Sequence, residues 1–501
     1  MNTGLPLYTA DQTRQLDALA RETGAISGYT LMSRAGAAAF SHLRERWPNA
    51  KNLHVVCGTG NNGGDGWIIA RLARMAGLTV EVDLVGAEGR IHGDARQAMY
   101  DYLQAGGEFR QLSEATRCDP GGACLLVDAL VGTGFRGPLR SEHEDAVRRI
   151  NASGVPVMAI DCPSGLNPDT GAPLPIAVRA ELTVTFIGRN QGLFTGDGPE
   201  YCGQVIYEEL GVSPSVYTQV TTHNRLLNLE QLLREHLPRR PRNAHKGLFG
   251  HVLIVGGNEG MGGAAILAGE AALRTGAGLV SLATHPNTVA PALARRPELM
   301  ARAITRTEQL IPLLNNASVV VVGPGLGTDA WSQALLGRVL DSKLPLVIDA
   351  DGLNLVASLP APLEHQGPLI MTPHPGEAGR LLSMPATAVN TDRFAAVTRL
   401  AQDWGAVQVL KGSGTVIASP ESDGVYVCPD GNPGMASGGM GDVLAGVIGA
   451  LVAQGLSPLA AAQLGVCLHA RAADIAVKAT GEEGLLASDL SDALAGAFHW
   501  N

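Results

Sequence analysis

Aromatic residues make up only 4% of this 501-residue chain. Cores short of rings must be filled by small side chains, and the 63 glycines with abundant alanine suit helices packed closely on sheets. Cysteine is scarce and scattered, at positions 57, 118, 124, 162, 202, 428 and 467, with no C-x-x-C spacing. That argues against a zinc site and against a disulfide framework. There is no dense basic tract and the net charge is −10, which excludes nucleic acid as an expected partner. Apolar runs are broken by Gly, Asp or Gln well short of a membrane span. Residues 1–6 carry no basic-then-apolar leader pattern, so a cytoplasmic protein is expected. Mild acidity leaves room for an anionic ligand gripped by backbone N–H groups.

The length exceeds what one hydrophobic core usually serves, so two domains are expected. Residues 9–47 read as two helices, the first capped by Thr9 or Asp11. A strand at 53–57 then feeds a glycine turn and an apolar-periodic helix from Trp67. Further buried strands read at 80–85, 124–129 and 155–160, with others at 182–187 and 205–208. This is a parallel, doubly wound α/β pattern. The apolar pattern lapses at 213–223 and restarts at 250–255, giving domains at 1–222 and 223–501. Second-domain strands read at 278–283, 319–322, 346–348, 369–371 and 406–410. A hairpin at 415–418 and 425–428 turns at 422–424. The alanine-rich stretch 35–39 could serve a core or a subunit contact, and a homo-oligomer is expected.

The first domain holds Gly58, Gly60 and Gly63 in G-x-G-x-x-G order between strand and helix, with Asp83 twenty residues on. Alone, this suggests a nicotinamide-dependent dehydrogenase. Asn61, Asn62 and Asp65 exceed what a pyrophosphate turn needs, however. Other strand ends add Asp128, the 132–138 loop, and Asp161 with Ser164. In an open parallel sheet such loops converge on one crevice. Asn62, Asp128 and Ser164 would bring hard oxygen atoms together, which suits a monovalent hard cation.

In the second domain, Gly434 to Asp442 is a glycine-rich loop running into an apolar helix. Bare N–H groups and the helix dipole make an anion site there. Asp442 at that mouth suits a base that deprotonates a hydroxyl beside bound phosphate. The glycines at 323, 325 and 327, His374 between two prolines, and Lys411-Gly-Ser-Gly-Thr415 each follow a strand. The last is not a P-loop, since the G-x-x-x-x-G-K-[ST] order is absent. His245 and Lys246 precede the first strand and could close over the site.

Asn61-Asn-Gly-Gly-Asp65, the 132–138 loop and Ile160-Asp-Cys-Pro-Ser-Gly165 resemble the epimerase domain of bifunctional NAD(P)H-hydrate repair enzymes. The second-domain motifs resemble the ribokinase-like superfamily, and in detail the ADP-dependent dehydratase domain of the same enzymes. The two resemblances cover nearly the whole chain in the expected order. They imply a Rossmann-like three-layer domain with a parallel sheet, and a ribokinase-like α/β/α domain. The first would interconvert R and S NAD(P)HX at C6. The second would dehydrate the S epimer with ADP, releasing AMP and phosphate.

Residue by residue, the resemblance implies hydrate binding at Asn61, Asn62, Gly63, Gly64 and Asp65, at Gly132, Thr133, Gly134, Phe135, Arg136, Gly137 and Pro138, and at Asp161. Asp161 is the acid–base candidate of this set. Potassium (K+) falls on Asn62, Asp128 and Ser164. Some members carry Lys where Arg136 stands; arginine can hold an anion but carries protons poorly. In the dehydratase the implied hydrate contacts are Ala264, Gly325, His374 and Asp442. The nucleotide falls on Lys411, Gly412, Ser413, Gly414, Thr415 and Gly441, with Mg2+ carried largely by phosphates and water. A small-molecule kinase with an N-terminal ligand-sensing domain is the alternative reading.

Overall fold

The computed structural model describes residues 4–22, 26–112, 124–237 and 239–498. Cys118 and Pro238 lie outside them. The chain divides into two compact units, one from Pro6 to His223 and one from Asn224 onward that also takes in Leu5.

The first unit is built on seven strands in the order Arg110–Gln111, Thr79–Leu84, Asn52–Cys57, Cys124–Ala129, Val157–Ile160, Leu182–Phe186, Gln204–Glu208. Every neighbouring pair is parallel. Chain direction across the sheet reverses between Asn52–Cys57 and Cys124–Ala129, so the loops after Cys57 and Ala129 open a crevice at the switch point. The central strands are apolar throughout because helices cover both faces.

One layer contains Gly28–Arg46, Asn61–Met75 and Gly93–Gln104, and Ser141–Asn151 covers the other side. Ala35 and Ala39 are buried in the first of these cores, and Ala37 of the same stretch is exposed. The first helix spans Ala10–Glu22 and is capped by Thr9, whose hydroxyl accepts the Gln12 N–H at 3.2 Å.

The second unit contains an eleven-stranded sheet. Its parallel run comprises Val407–Leu410, Leu369–Met371, Leu346–Ile348, Val319–Val322, His251–Val255, Leu279–Thr284 and Met300–Ala303. The expected hairpin is present as Thr415–Ala418 antiparallel to Tyr426–Cys428. Two-residue pieces at Leu5–Pro6 and Arg225–Leu226 extend that edge. They are too short to show periodicity in a sequence.

Met440–Ala453 is apolar nearly all round and buried along its length, as expected of a core helix. A Cβ on Gly446 would lie 2.1 Å from the Ala268 carbonyl oxygen, so only glycine lets this helix cross Gly262–Arg274 at backbone contact. That crossing fixes where the helix N-terminus, and Asp442, emerge at the carboxyl ends of the strands.

Candidate functional site

Both units place their polar residues at the carboxyl ends of parallel strands. In the first unit a cavity of about 740 Å³ is lined by Asn61, Asn62, Asp65, Gly132, Thr133, Gly134, Phe135, Arg136, Pro138 and Asp161. Gly63 and Gly64 lie beneath it: a Cβ on Gly63 would meet the Gly58 carbonyl at 2.0 Å, and one on Gly64 would meet Met32. They let the Asn61–Met75 helix start against the turn after Cys57 and against the Gly28–Arg46 helix. Gly137 turns the loop at φ 81°.

The segment 130–133 binds the expected cluster together. Asp128 accepts the Leu130 N–H at 3.3 Å, the Ser164 N–H at 2.8 Å and the Ser164 hydroxyl at 2.6 Å. Ser164 Oγ in turn accepts the Val131 N–H at 3.0 Å. Asp161 accepts the Thr133 N–H at 2.6 Å, and a Cβ on Gly132 would touch both Asp161 and Asn62. Asn62 is 8% exposed, and neither atom of its side-chain amide has a partner among the described residues. A buried amide costs free energy unless something satisfies it. Burial raises Asp128 to about 6, against the hydrogen bonds from Ser164 and Leu130 that lower it.

Asp161 adopts φ 67°, a left-handed conformation that costs a non-glycine residue roughly 1–3 kcal/mol. Burial raises its carboxyl, the Thr133 bonds oppose this, and Asp17 adds to the rise. Burial raises Asp65 well above the ordinary range, with Asp161 and Asp17 contributing. Burial thus favours the protonated form of both carboxyls. Asp17 comes from the first helix with Thr13, Arg14 and Arg21, all lining the same cavity. Sequence reading missed these four, since a charged helix face has no motif.

Asp83 does not serve a ribose. It is fully buried, accepting from His54 Nε2 at 2.7 Å and Arg110 Nε at 2.8 Å. The dehydrogenase reading loses its acidic residue there.

In the second unit Lys411 stands among carboxylates. Its Nζ is 2.6 Å from Asp349 Oδ1 and 3.8 Å from Glu377 Oε2. Thr372 Oγ1 donates to the same Asp349 oxygen at 2.8 Å. Asp442 occupies the first turn of Met440–Ala453, behind Gly439 at φ 91°. Burial lifts Asp442 to about 7; Asp349 adds to the rise, Lys411 opposes it, and Asp351 and Glu377 add further. Burial also lifts Glu377 to about 7, against Lys411. Desolvation pulls Lys411 down, but Asp349, Glu377 and Asp442 together outweigh it, so the ammonium stays charged.

His374 has extended backbone, as expected, and caps Pro375–Leu382: its Nδ1 accepts the Gly376 N–H at 3.0 Å. Burial, Lys411 and Arg380 lower its pKa, which favours the neutral ring. Its backbone N–H donates to Glu377 at 2.8 Å, which links it to Lys411. Gly325 and Ala264 touch, since a Cβ on Gly325 would fall 3.0 Å from that of Ala264. Beside them a cavity of about 570 Å³ is lined by Asn258, Met261, Asp329 and Asp351.

The turn from Lys411 to Thr415 is braced by buried Arg393, whose guanidinium donates to the Leu410 carbonyl at 2.9 Å and that of Lys411 at 3.2 Å. Thr415 Oγ1 closes the turn on Gly412 O at 3.0 Å. His245 and Lys246 lie elsewhere. Gly278 donates to Phe249 O and abuts the Lys246 carbonyl, at the amino ends of the strands, so this segment does not close over the Asp442 site of its own unit.

A family model described as NAD(P)H-hydrate dehydratase matches residues 252–495, and one described as YjeF-related protein N-terminus matches residues 28–192. A bifunctional NAD(P)H-hydrate repair enzyme of Coxiella burnetii is 48% identical over 484 residues, covering 97% of each chain. The chain belongs to the bifunctional NAD(P)H-hydrate repair enzymes. A repair enzyme of Escherichia coli is 41% identical over 488 residues, covering 97% of this chain and 93% of its own. A ribokinase-like superfamily protein of Enterococcus faecalis, known as a crystal structure, aligns with TM-score 0.50 at 32% identity, covering 56% of this chain and 96% of its own.

Within this repair-enzyme framework, Asp349, Asp351 and Glu377 are second-unit residues to which sequence reading gave no role. One signal was available for two of them: Asp349 and Asp351 directly follow a buried strand, where ligand-facing groups gather in parallel sheets.

Proposed function

We propose that this chain repairs hydrated NADH and NADPH in two steps. The first unit epimerises R and S NAD(P)HX at C6, and the second dehydrates the S epimer with ADP. The observation that carries the second step is the Asp442 carboxyl, held at about 7 on a glycine-flanked helix N-terminus beside a charged lysine.

Hydroxide is a poor leaving group near neutrality. Asp442 takes the proton of the C6 hydroxyl, and that oxygen attacks the terminal phosphoryl of ADP, releasing AMP. The C6–O bond then breaks with phosphate leaving. The ring nitrogen supplies the electron pair, and loss of the C5 proton restores the dihydronicotinamide. Lys411 and the bare N–H groups at Gly441 stabilise charge on the phosphoryl oxygens. His374 is a hydrate contact with Gly325 and Ala264, and the 411–415 turn cradles the nucleotide.

In the first unit Asp161 protonates the C6 hydroxyl as the C6–O bond breaks, the ring nitrogen's pair forming the iminium, and takes a proton back from the water that re-adds to the opposite face of C6. The hydrate lies along Asn61 to Asp65 and the 132–138 loop. The orphaned Asn62 amide and the hard oxygens of Asp128 and Ser164 fit potassium, which would supply positive charge beside the ligand. Among the described residues no three His, Cys, Asp or Glu side chains converge as a metal cage. Mg2+ would arrive with the nucleotide phosphates and neutralise their charge.

The test is stoichiometry. AMP and inorganic phosphate should each appear one for one with recovered NADPH. A stable phosphorylated product would instead indicate a kinase.

A further inference from the structure

We propose that Arg90 and Arg140 form a phosphate subsite at the rim of the first-unit cavity, reading the adenosine 2′-phosphate that distinguishes NADPHX from NADHX. This rests on the epimerase reading of that cavity. Both arginines line it, and both also line a contiguous pocket of about 510 Å³ with Ala87, Ser141 and Glu142. Arg90 ends the Glu88–Arg90 turn after the second strand of the unit, and Arg140 precedes the Ser141–Asn151 helix across the gap. Among the described residues neither guanidinium has a salt bridge or side-chain hydrogen bond, unlike Arg14, Arg21 and Arg136 on the same cavity.

In doubly wound sheets the end of this strand meets the adenosine ribose: a carboxylate there takes the 2′-hydroxyl, whereas an arginine takes a 2′-phosphate. Asp83, the carboxylate near the end of that strand, is consumed by His54 and Arg110. At the mouth stand two planar cations with no ion pair among the described residues, suited to bidentate phosphate contact. Glu142, on the same rim, is 3.8 Å from His143 Nδ1.

The test is epimerisation without ADP, which leaves the dehydratase silent, followed by chromatography of R and S forms. The wild-type ratio of kcat/KM for NADPHX over NADHX should exceed about tenfold, since a charge-assisted contact of this kind contributes that much or more. Arg90→Ala and Arg140→Ala should each bring the ratio down severalfold, with Arg90→Lys keeping part of it. A wild-type ratio near one overturns the proposal. So do equal losses on both hydrates, which would place the arginines on the shared pyrophosphate. If the wild type epimerises neither hydrate, the epimerase reading itself fails. The subsite is then decided by titrating adenosine 2′,5′-bisphosphate and adenosine 5′-monophosphate into wild type and Arg90→Ala. A preference for the bisphosphate that disappears in the variant upholds it, and no difference overturns it.

Discussion

Gly441→Ala separates the needs of the fold from the needs of the phosphoryl group. A Cβ at position 441 would lie 3.1 Å from Lys411 Nζ and 3.4 Å from Asp349 Oδ2. The ammonium has little room to retreat, because it is held at 2.6 Å by Asp349, which Thr372 holds at 2.8 Å. Position 441 lies within the helix, where alanine gains roughly 0.5–1 kcal/mol over glycine. The folded state should therefore survive, with Tm unchanged or slightly higher. The methyl group, however, occupies the space through which phosphoryl oxygens reach the helix N–H groups and Lys411. Misplacing a reacting group by about 1 Å costs on the order of 10²-fold. The variant should lose about two orders of magnitude in kcat/KM for ADP-dependent NADPH recovery. Epimerisation, followed in the same sample without ADP, is the internal control. Wild-type dehydration by the variant would refute the claim that bare backbone at 441 receives the phosphoryl group.

Dehydration should follow the Asp442 carboxyl: kcat/KM rises about tenfold per pH unit below about 7 and levels above it. The same elevation makes the folded state bind the proton more tightly than the unfolded chain, so its stabilising contribution is present at pH 4 and lost as pH rises through about 7; Asp442→Asn should accordingly raise Tm more at pH 8 than at pH 4. Asp349→Asn removes the carboxylate that pins Lys411 and raises Asp442, so the acid limb of the profile should shift to lower pH as kcat falls; an unmoved limb would contradict the network. Asp161→Asn should abolish R/S interconversion while equilibrium dialysis still detects bound hydrate. Asn62→Leu should weaken potassium activation of the epimerase; unchanged activation would remove Asn62 from the cation site.

Much of the fold was legible because buried parallel strands read as short apolar runs, and some, such as Asn52–Cys57 and His251–Val255, feed a glycine turn that starts a helix. The place of Asp442 at a helix mouth was legible for a related reason: the glycines from 434 to 441 run directly into a long apolar stretch. Asp349 and Glu377 were harder. Asp349 directly follows one strand and Glu377 lies in the first turn of Pro375–Leu382, 62 and 34 residues from Lys411 by number, and only the sheet order brings them to it. His245 and Lys246 misled for the opposite reason. Nearness in sequence to a strand does not say which end of the sheet a segment occupies, and they sit at the amino end. Asp83 had the spacing of a ribose ligand, but spacing cannot show that His54 on the adjacent strand and Arg110 on the next already satisfy it.

The most direct test of the central claim is absorbance at 340 nm when the full chain meets an R/S mixture of hydrated NADPH with ADP, Mg2+ and K+. Recovery of the whole pool is predicted, because the second unit consumes the S form while the first replenishes it, and Asp442→Ala should abolish it. Recovery of the S share alone would contradict the epimerase half, and no recovery with ADP or ATP would contradict the repair function altogether.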